Sequence, residues 1–526
     1  MSPNSSISVL QLLQHQLSEA HARNEATRAY HSQGELIEVP GMGKALSSAY
    51  EQLRNAAEYA EEHLLLQRAI RRFYHRSLSF FTHKTPEKLG EELILELTQA
   101  GYLQNKTYGH HVAVQINSLI EHAMDTYWAM RKSHVGREKA ADWTLEELSV
   151  TTEELLNPHF QLNAIAYTAY YHYLQIIPRD AYISSAHDAE KYEICLYIAV
   201  HQALLKSDIA IVRHALIHMY NQNPADLVQY VTFNTHITEL YTSPLTERLQ
   251  RAVSRAGAPF RVLRSLAESH PTLHEVVHDR DLFMHSYDHQ VRKEYKDLTN
   301  RLNKGILRSI AFIFITKVII GLGVEIPYDL IFVGSIAFIP LAINLCIPPL
   351  YMASLKVGLR TPSRDNAAAL NDYMDKALYA PEATQGLFTP TGIKAVSDGT
   401  KALYGILFFI PLGITLYVLS LLHFNIVQTV IFFVFLSTAS FLGFRLARMI
   451  RELELVAKQR NIISTLRDFF YLPFILVGQW LSRNYAKVNA VAFVLDMAIE
   501  LPLKTMMRLI RQWTRFLNEK HDELVG

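Results

Sequence analysis

AFIFITKVIIGLG, residues Ala311 to Gly323, decides how the chain is read. It is apolar apart from Thr316 and Lys317. It sits in a run, about Gly305–Gly323, close to the ~20 residues that cross ~30 Å of hydrocarbon as a helix. Three similar runs follow: Leu330–Leu350, Ala402–Leu422 and Ile426–Leu446. Val324–Asp329 joins the first two and His423–Asn425 the last two, while Tyr351–Lys401 forms a polar loop between the pairs. The pattern predicts two membrane hairpins.

Charge placement orients them. Arg292, Lys293, Lys296, Arg301 and Lys304 precede the first run, six Lys/Arg occupy the middle loop, and Arg445, Arg448 and Arg451 follow the fourth. The short links hold no Lys or Arg. Basic flanks stay on the cytoplasmic side, so both termini are expected in the cytoplasm of a multi-pass protein of the cell (inner) membrane.

Composition agrees. The 526 residues are 49% hydrophobic but only 19% charged, so apolar residues must be concentrated locally. Lys+Arg and Asp+Glu number 51 and 50, which argues against nucleic acid as a partner. Two cysteines, Cys195 and Cys346, make no disulfide framework.

Before the membrane runs everything reads as helix. Residues 7–31 form an amphipathic helix through Ile7, Val9, Leu10, Leu13 and Leu17, of the kind that docks on a helical domain. Thr85-Pro86 opens another helix, and Thr144-x-x-Glu147 is a capping-box pattern opening a short one. No P-loop or GxGxxG occurs, which argues against a nucleotide enzyme. From Pro271 no Gly or Pro appears before Gly305, so a stalk helix is expected to run toward the membrane.

The stalk carries the one catalytic-looking motif, His274-Glu275-Val276-Val277-His278. On a helix the two imidazoles share a face, so they would hold Zn²⁺ while Glu275 activates water. His274, His278, His285 and His289 fall within about 60° of one face, which reads first as a polar packing seam or a solvated face, and otherwise as a metal-binding or pH-sensing strip. Against a protease, Asp279 and Arg280 follow the motif and no third ligand is evident. His214 with His218, and His110-His111 with His122, are further histidine groups. Within the membrane runs, the polar candidates are Lys317 and Asn344. The bland expectation pairs Lys317 with Glu325 or Asp329, or with the Ile336 carbonyl that Pro340 leaves open. FIPLAINL and FIPLGITL, at Phe338 and Phe409, look alike but break hairpin order, so no inverted repeat is inferred.

After the fourth run, Phe469–Leu481 is too short to span and reads as interfacial. Lys504–Phe516 reads as a basic amphipathic helix suited to an anionic leaflet.

The expected architecture is all-α. It comprises a cytoplasmic helical domain (1–270), a stalk (271–304), hairpins at 305–350 and 402–446 around a cytoplasmic loop (351–401), and an interfacial tail (447–526). The expected function is a non-enzymatic scaffold or regulator at the cytoplasmic face, with the lipid bilayer and cytoplasmic proteins as partners and no cofactor. A zinc hydrolase using the motif is the first alternative. The second is a transporter or channel using Lys317, which would need a homo-oligomer to build a pathway.

Overall fold

The computed structural model describes residues 7–40, 44–58, 62–78, 88–183, 188–359, 361–380, 398–456 and 462–487. These are almost wholly helical, with one isolated β-bridge, Leu36 to Gly109, among them. The Thr85-Pro86 helix start and the basic segment Lys504–Phe516 lie outside the described residues. The chain divides into two compact units. One contains the residues up to Val253 with His270–Glu275; the other contains Ser254–Ser269 and Val276–Val488.

The first unit is built from α1 (Val9–His31), α2 (Lys44–Glu58), α3 (Leu65–Ser77), α4 (Leu89–Ala100), α5 (His110–Lys132), α6 (Arg137–Leu156), α7 (Phe160–Ile176), α8 (Ala189–Val200), α9 (Ile209–Met219) and α10 (Leu227–Tyr241). α1 starts where Ser8 and Gln11 close a reciprocal capping box, and its Val9, Leu13, Leu17 and Ala20 are buried against α7. α6 packs on α3, α5 and α9. Thr144 does not open this helix: it lies mid-helix, its hydroxyl returned to the Ala140 carbonyl at 2.8 Å, because the helix has already begun at Arg137.

Polar side chains on the inner face of α6 are matched across the core. Ser149 accepts from Gln67 at 2.8 Å, and Thr152 meets the Tyr74 hydroxyl at 2.9 Å. Arg213 of α9 is 2% exposed and donates through Nε to Glu146 at 2.7 Å. It also reaches the Asn234 carbonyl at 2.9 Å and Thr238 at 3.0 Å.

Burial, with the Glu154 and Asp208 carboxylates beside it, pushes the Glu153 carboxyl up to about 8. The fold therefore keeps a proton that the unfolded chain gives up above its ordinary value of 4.5. This contribution to stability falls as pH rises through 4.5 to about 8, by roughly 1.4 kcal/mol per pH unit. Glu153→Gln removes that slope. Thermal midpoints of both proteins between about pH 5 and pH 8 are expected to diverge in the variant's favour as pH rises. Parallel curves would refute the assignment.

The chain continues through α11 (Pro244–Ala256), α12 (Ala258–Ser269) and the four-residue α13 (Leu273–Val276). The second unit then centres on α14 (Arg280–Ile320), with α15 (Ile326–Tyr328), α16 (Phe338–Gly358), α17 (Arg364–Tyr379), α18 (Asp398–Leu421), α19 (Ile426–Arg451) and α20 (Ile462–Lys487).

The expected stalk is interrupted. Asp279 has extended backbone and caps α14, accepting from the amides of Asp281 and Leu282 at 3.0 and 3.1 Å, so the long helix begins after His278. Gly305 does not end it. A Cβ there would stand 2.8 Å from Leu446 Cδ2, so this glycine sits at a close approach of α14 to α19. Gly478 does the same on α20, where a Cβ would lie 2.3 Å from the Ser437 carbonyl oxygen of α19. Phe469–Leu481 thus belongs to a longer helix packed along α19.

The middle loop contains α17, capped by Ser363 and packed on α12 and α14. Arg280 holds Asp375 through two 2.7 Å bonds, and Asn371 donates to Asp288 at 2.8 Å.

Among the described residues, two helical stretches are long and apolar enough to cross a membrane: Arg280–Val333 and Ile426–Arg451, each reaching a mean hydropathy of 2.0. Phe338–Ser354, Leu407–Leu421 and Phe469–Ser482 are apolar but shorter. The link Val324–Asp329 is not a turn. Helix continues through two wide π turns, Gly321–Glu325 and Asp329–Val333, and the chain reverses at Gly334, whose φ is +80°. Pro327 falls in the first turn of the short α15 that separates them, a position a proline tolerates.

Candidate functional site: a buried polar core among apolar helices

α14 buries one continuous stripe: Phe283, Tyr287, Val291, Leu298, Leu302, Ile306 and Ile313 recur at heptad-like spacing. Lys317 ends that stripe and is 1% exposed. Its Nζ donates to Glu325 Oε1 at 3.1 Å and to Asn344 Oδ1 at 2.7 Å, and lies 4.5 Å from the centre of the Phe435 ring. Of the partners the sequence offers Lys317, Glu325 is the one it meets.

Asn344 closes the loop. Its Nδ2 donates to Glu325 Oε2 at 3.0 Å and to the Gln428 carbonyl at 3.2 Å. A second group adjoins through Gln428. There Asp329 accepts from Gln428 Nε2 at 2.9 Å, from Asn425 Nδ2 at 2.7 Å and from the Ala337 amide at 3.3 Å. Asn425 is the N-cap of α19 and Gln428 its third residue, paired as a capping box. One cap therefore starts a helix and holds a buried carboxylate.

Glu325, Asp329, Asn344 and Gln428 are each no more than 1% exposed. With Lys317 they bring one cation and two carboxylates inside a shell of apolar side chains. The low dielectric strengthens each bond and makes any orphaned member costly. A cleft of about 110 Å³ opens beside Lys317 and Glu325, between Leu322 and Leu341.

The histidine strip is arranged differently. His274 and Glu275 lie on the short α13, while His278 is in the turn after it, so the motif does not form one helical face. His274 stacks on His21 with ring centres 4.2 Å apart, and Glu275 is exposed. His285 and His289 are exposed too: each falls two residues, about 200°, from the buried Phe283 and Tyr287. They occupy a solvated face, not a packing seam.

The sequence reading missed Gln428, which sits inside an apolar run, and offered Asp329 to Lys317 from a turn where the structure gives it to Asn425 and Gln428. The Asn-x-x-Gln capping spacing was the signal that could have found the first. No protein-family model, curated protein or solved structure matches the chain.

Proposed function

We propose that the chain is a multi-pass membrane protein with four membrane-embedded segments in two hairpins and both termini on the cytoplasmic side. It serves there as a non-enzymatic scaffold or regulator whose helical first unit meets cytoplasmic protein partners. One observation carries the membrane reading: polarity is inverted in the second unit. Charged and amide side chains are inside, while Phe312, Phe314, Ile319, Ile331, Phe332, Ile426 and Val430 are exposed. In the most apolar stretch of Arg280–Val333 only 22% is buried. Water would penalise that surface by ~25 cal/mol per Å², and hydrocarbon would not. The scaffold reading rests on the breakup of the HEVVH motif and on the mutual pairing of the intramembrane groups.

Topology is testable with single cysteines in a Cys195→Ala/Cys346→Ala background. Ser335→Cys and His423→Cys are expected to react with a membrane-impermeant maleimide in intact cells, and Asp372→Cys only after lysis. Extraction of the protein by alkaline carbonate, or labelling of Asp372→Cys from outside, would overturn the reading.

A transport reading keeps one supporting observation. Two carboxylates against one ammonium leave a formal negative charge in the core, which a proton or a small cation would balance.

A further inference from the structure

Two helices of the first unit bring together groups that neither the membrane reading nor the stalk motif uses. His214 and His218 stand one turn apart on α9, and Glu147 and Glu154 stand two turns apart on α6, against which α9 packs. His214 is buried. Its Nε2 lies 3.2 Å from Glu154 Oε2 and its Nδ1 lies 2.9 Å from Glu147 Oε1. His218 Nε2 approaches the same Glu147 oxygen at 3.8 Å. Among the described residues, Glu147, His214 and His218 form the one group in which three such donor atoms lie within 4.8 Å of one another.

We propose that Glu147, His214 and His218 form a binding site for a zinc-class divalent cation, with Glu154 orienting His214. The argument starts from the tautomer. A neutral His214 that donates its Nε2–H to Glu154 turns the Nδ1 lone pair onto Glu147 Oε1. Protonated, the ring instead donates to both carboxylates; against burial, which disfavours the charge, they push its pKa up to about 10, so a metal must displace that Nδ1 proton. A proton alone would need only those two atoms. The third donor, His218, fits a metal: ligands about 2.0–2.2 Å from a tetrahedral ion stand ~3.3–3.6 Å apart, and the Glu147 oxygen lies 2.9 and 3.8 Å from the two imidazoles, on either side of that spacing. Glu147 Oε2 is buried without a hydrogen bond, so the carboxylate has a second oxygen to bring to the ion.

Carboxylate, imidazole and metal in line, with Glu154 outermost, is the usual way a protein fixes a ligating histidine. Two nitrogens and an oxygen suit zinc or a neighbouring transition ion and disfavour calcium and magnesium. The His218 side chain is 67% exposed, so the fourth coordination position faces solvent.

The test uses the full chain in detergent, loaded with zinc, dialysed, and analysed by inductively coupled plasma mass spectrometry alongside its thermal midpoint. The wild type is expected to retain about one zinc per chain and to melt higher with zinc than with chelator. His218→Ala removes an exposed ligand and its edge-on ring contact with His214 but leaves the His214 bonds to Glu147 and Glu154 in place; it is expected to fold and to lose the zinc and the shift. Glu154→Gln is expected to weaken binding about 10–100-fold. His278→Ala/His285→Ala/His289→Ala is expected to bind as the wild type does. Zinc absent from the wild type, retained in His218→Ala, or lost only with the stalk histidines would each overturn the assignment.

Discussion

Replacing Glu325 by leucine is expected to destabilise the second unit by about 3–5 kcal/mol, because it strands the buried Lys317 ammonium. Asn344 Oδ1 and the Phe435 ring remain, but neither carries the compensating charge. Asn344 also loses its Glu325 acceptor and keeps only the Gln428 carbonyl. The double variant Lys317→Met/Glu325→Leu removes both charges with little change in volume, and its cost is expected to be near zero or favourable. The readout is the folded, monodisperse fraction after detergent extraction together with the thermal midpoint. A single variant as stable as the wild type would show that the pair carries no net weight. A double variant that folds normally yet loses solute flux would move the chain to the transport reading.

The second large effect is expected at Arg213→Met. Among the described residues Arg213 is the largest fully buried side chain, and its loss removes the Nε donor from Glu146 Oε2 and empties three acceptors on Asn234 and Thr238. Glu146 would keep Arg71 alone, at 3.3 Å and mostly from the surface side. Losing one member of such a network costs about 3–5 kcal/mol, which for a unit of this size lowers the midpoint by roughly 10 °C. Arg213→Lys is expected to recover only part of it, since a single ammonium cannot reproduce the planar fork aimed at three side chains. Trp143, stacked 5.5 Å from the guanidinium, offers a fluorescence reporter of the unfolding. A midpoint within a degree of wild type in Arg213→Met would sink the account.

What the sequence made legible follows from the range of the forces involved. Lys317 stood out because a lone cation in an apolar run must find a partner, and Glu325 lay eight residues away. The surrounding geometry did not stand out. Val324–Asp329 has the proline and acids of a turn, yet it is helical because Glu325 and Asp329 point inward to partners on other helices. The histidines of the stalk were correctly spaced at i, i+4, but spacing cannot say which face is buried. The buried stripe through Phe283, Tyr287 and Val291, spaced every four residues, settles that, and it runs on the opposite side. Asp279 then caps α14 just after the motif and leaves His278 in the turn, because a short polar side chain before a helix competes with helix continuation. His214 and His218 were visible as a pair; Glu147 was not, since 67 residues separate it from His214 and only the packing of α6 on α9 joins them.

Synthesis proceeds from the N-terminus, and the polar core is laid out along the chain in the order it can close. Lys317 finds Glu325 eight residues on and Asn344 27 residues on, so a single short stretch of chain supplies its partners. Asp329 must wait 99 residues for Gln428. Until α19 arrives the Asp329 side chain has only the Ala337 amide, eight residues on. The Asn425–Gln428 cap of α19 then completes the group, so the polar core closes only when the last third of this unit has folded.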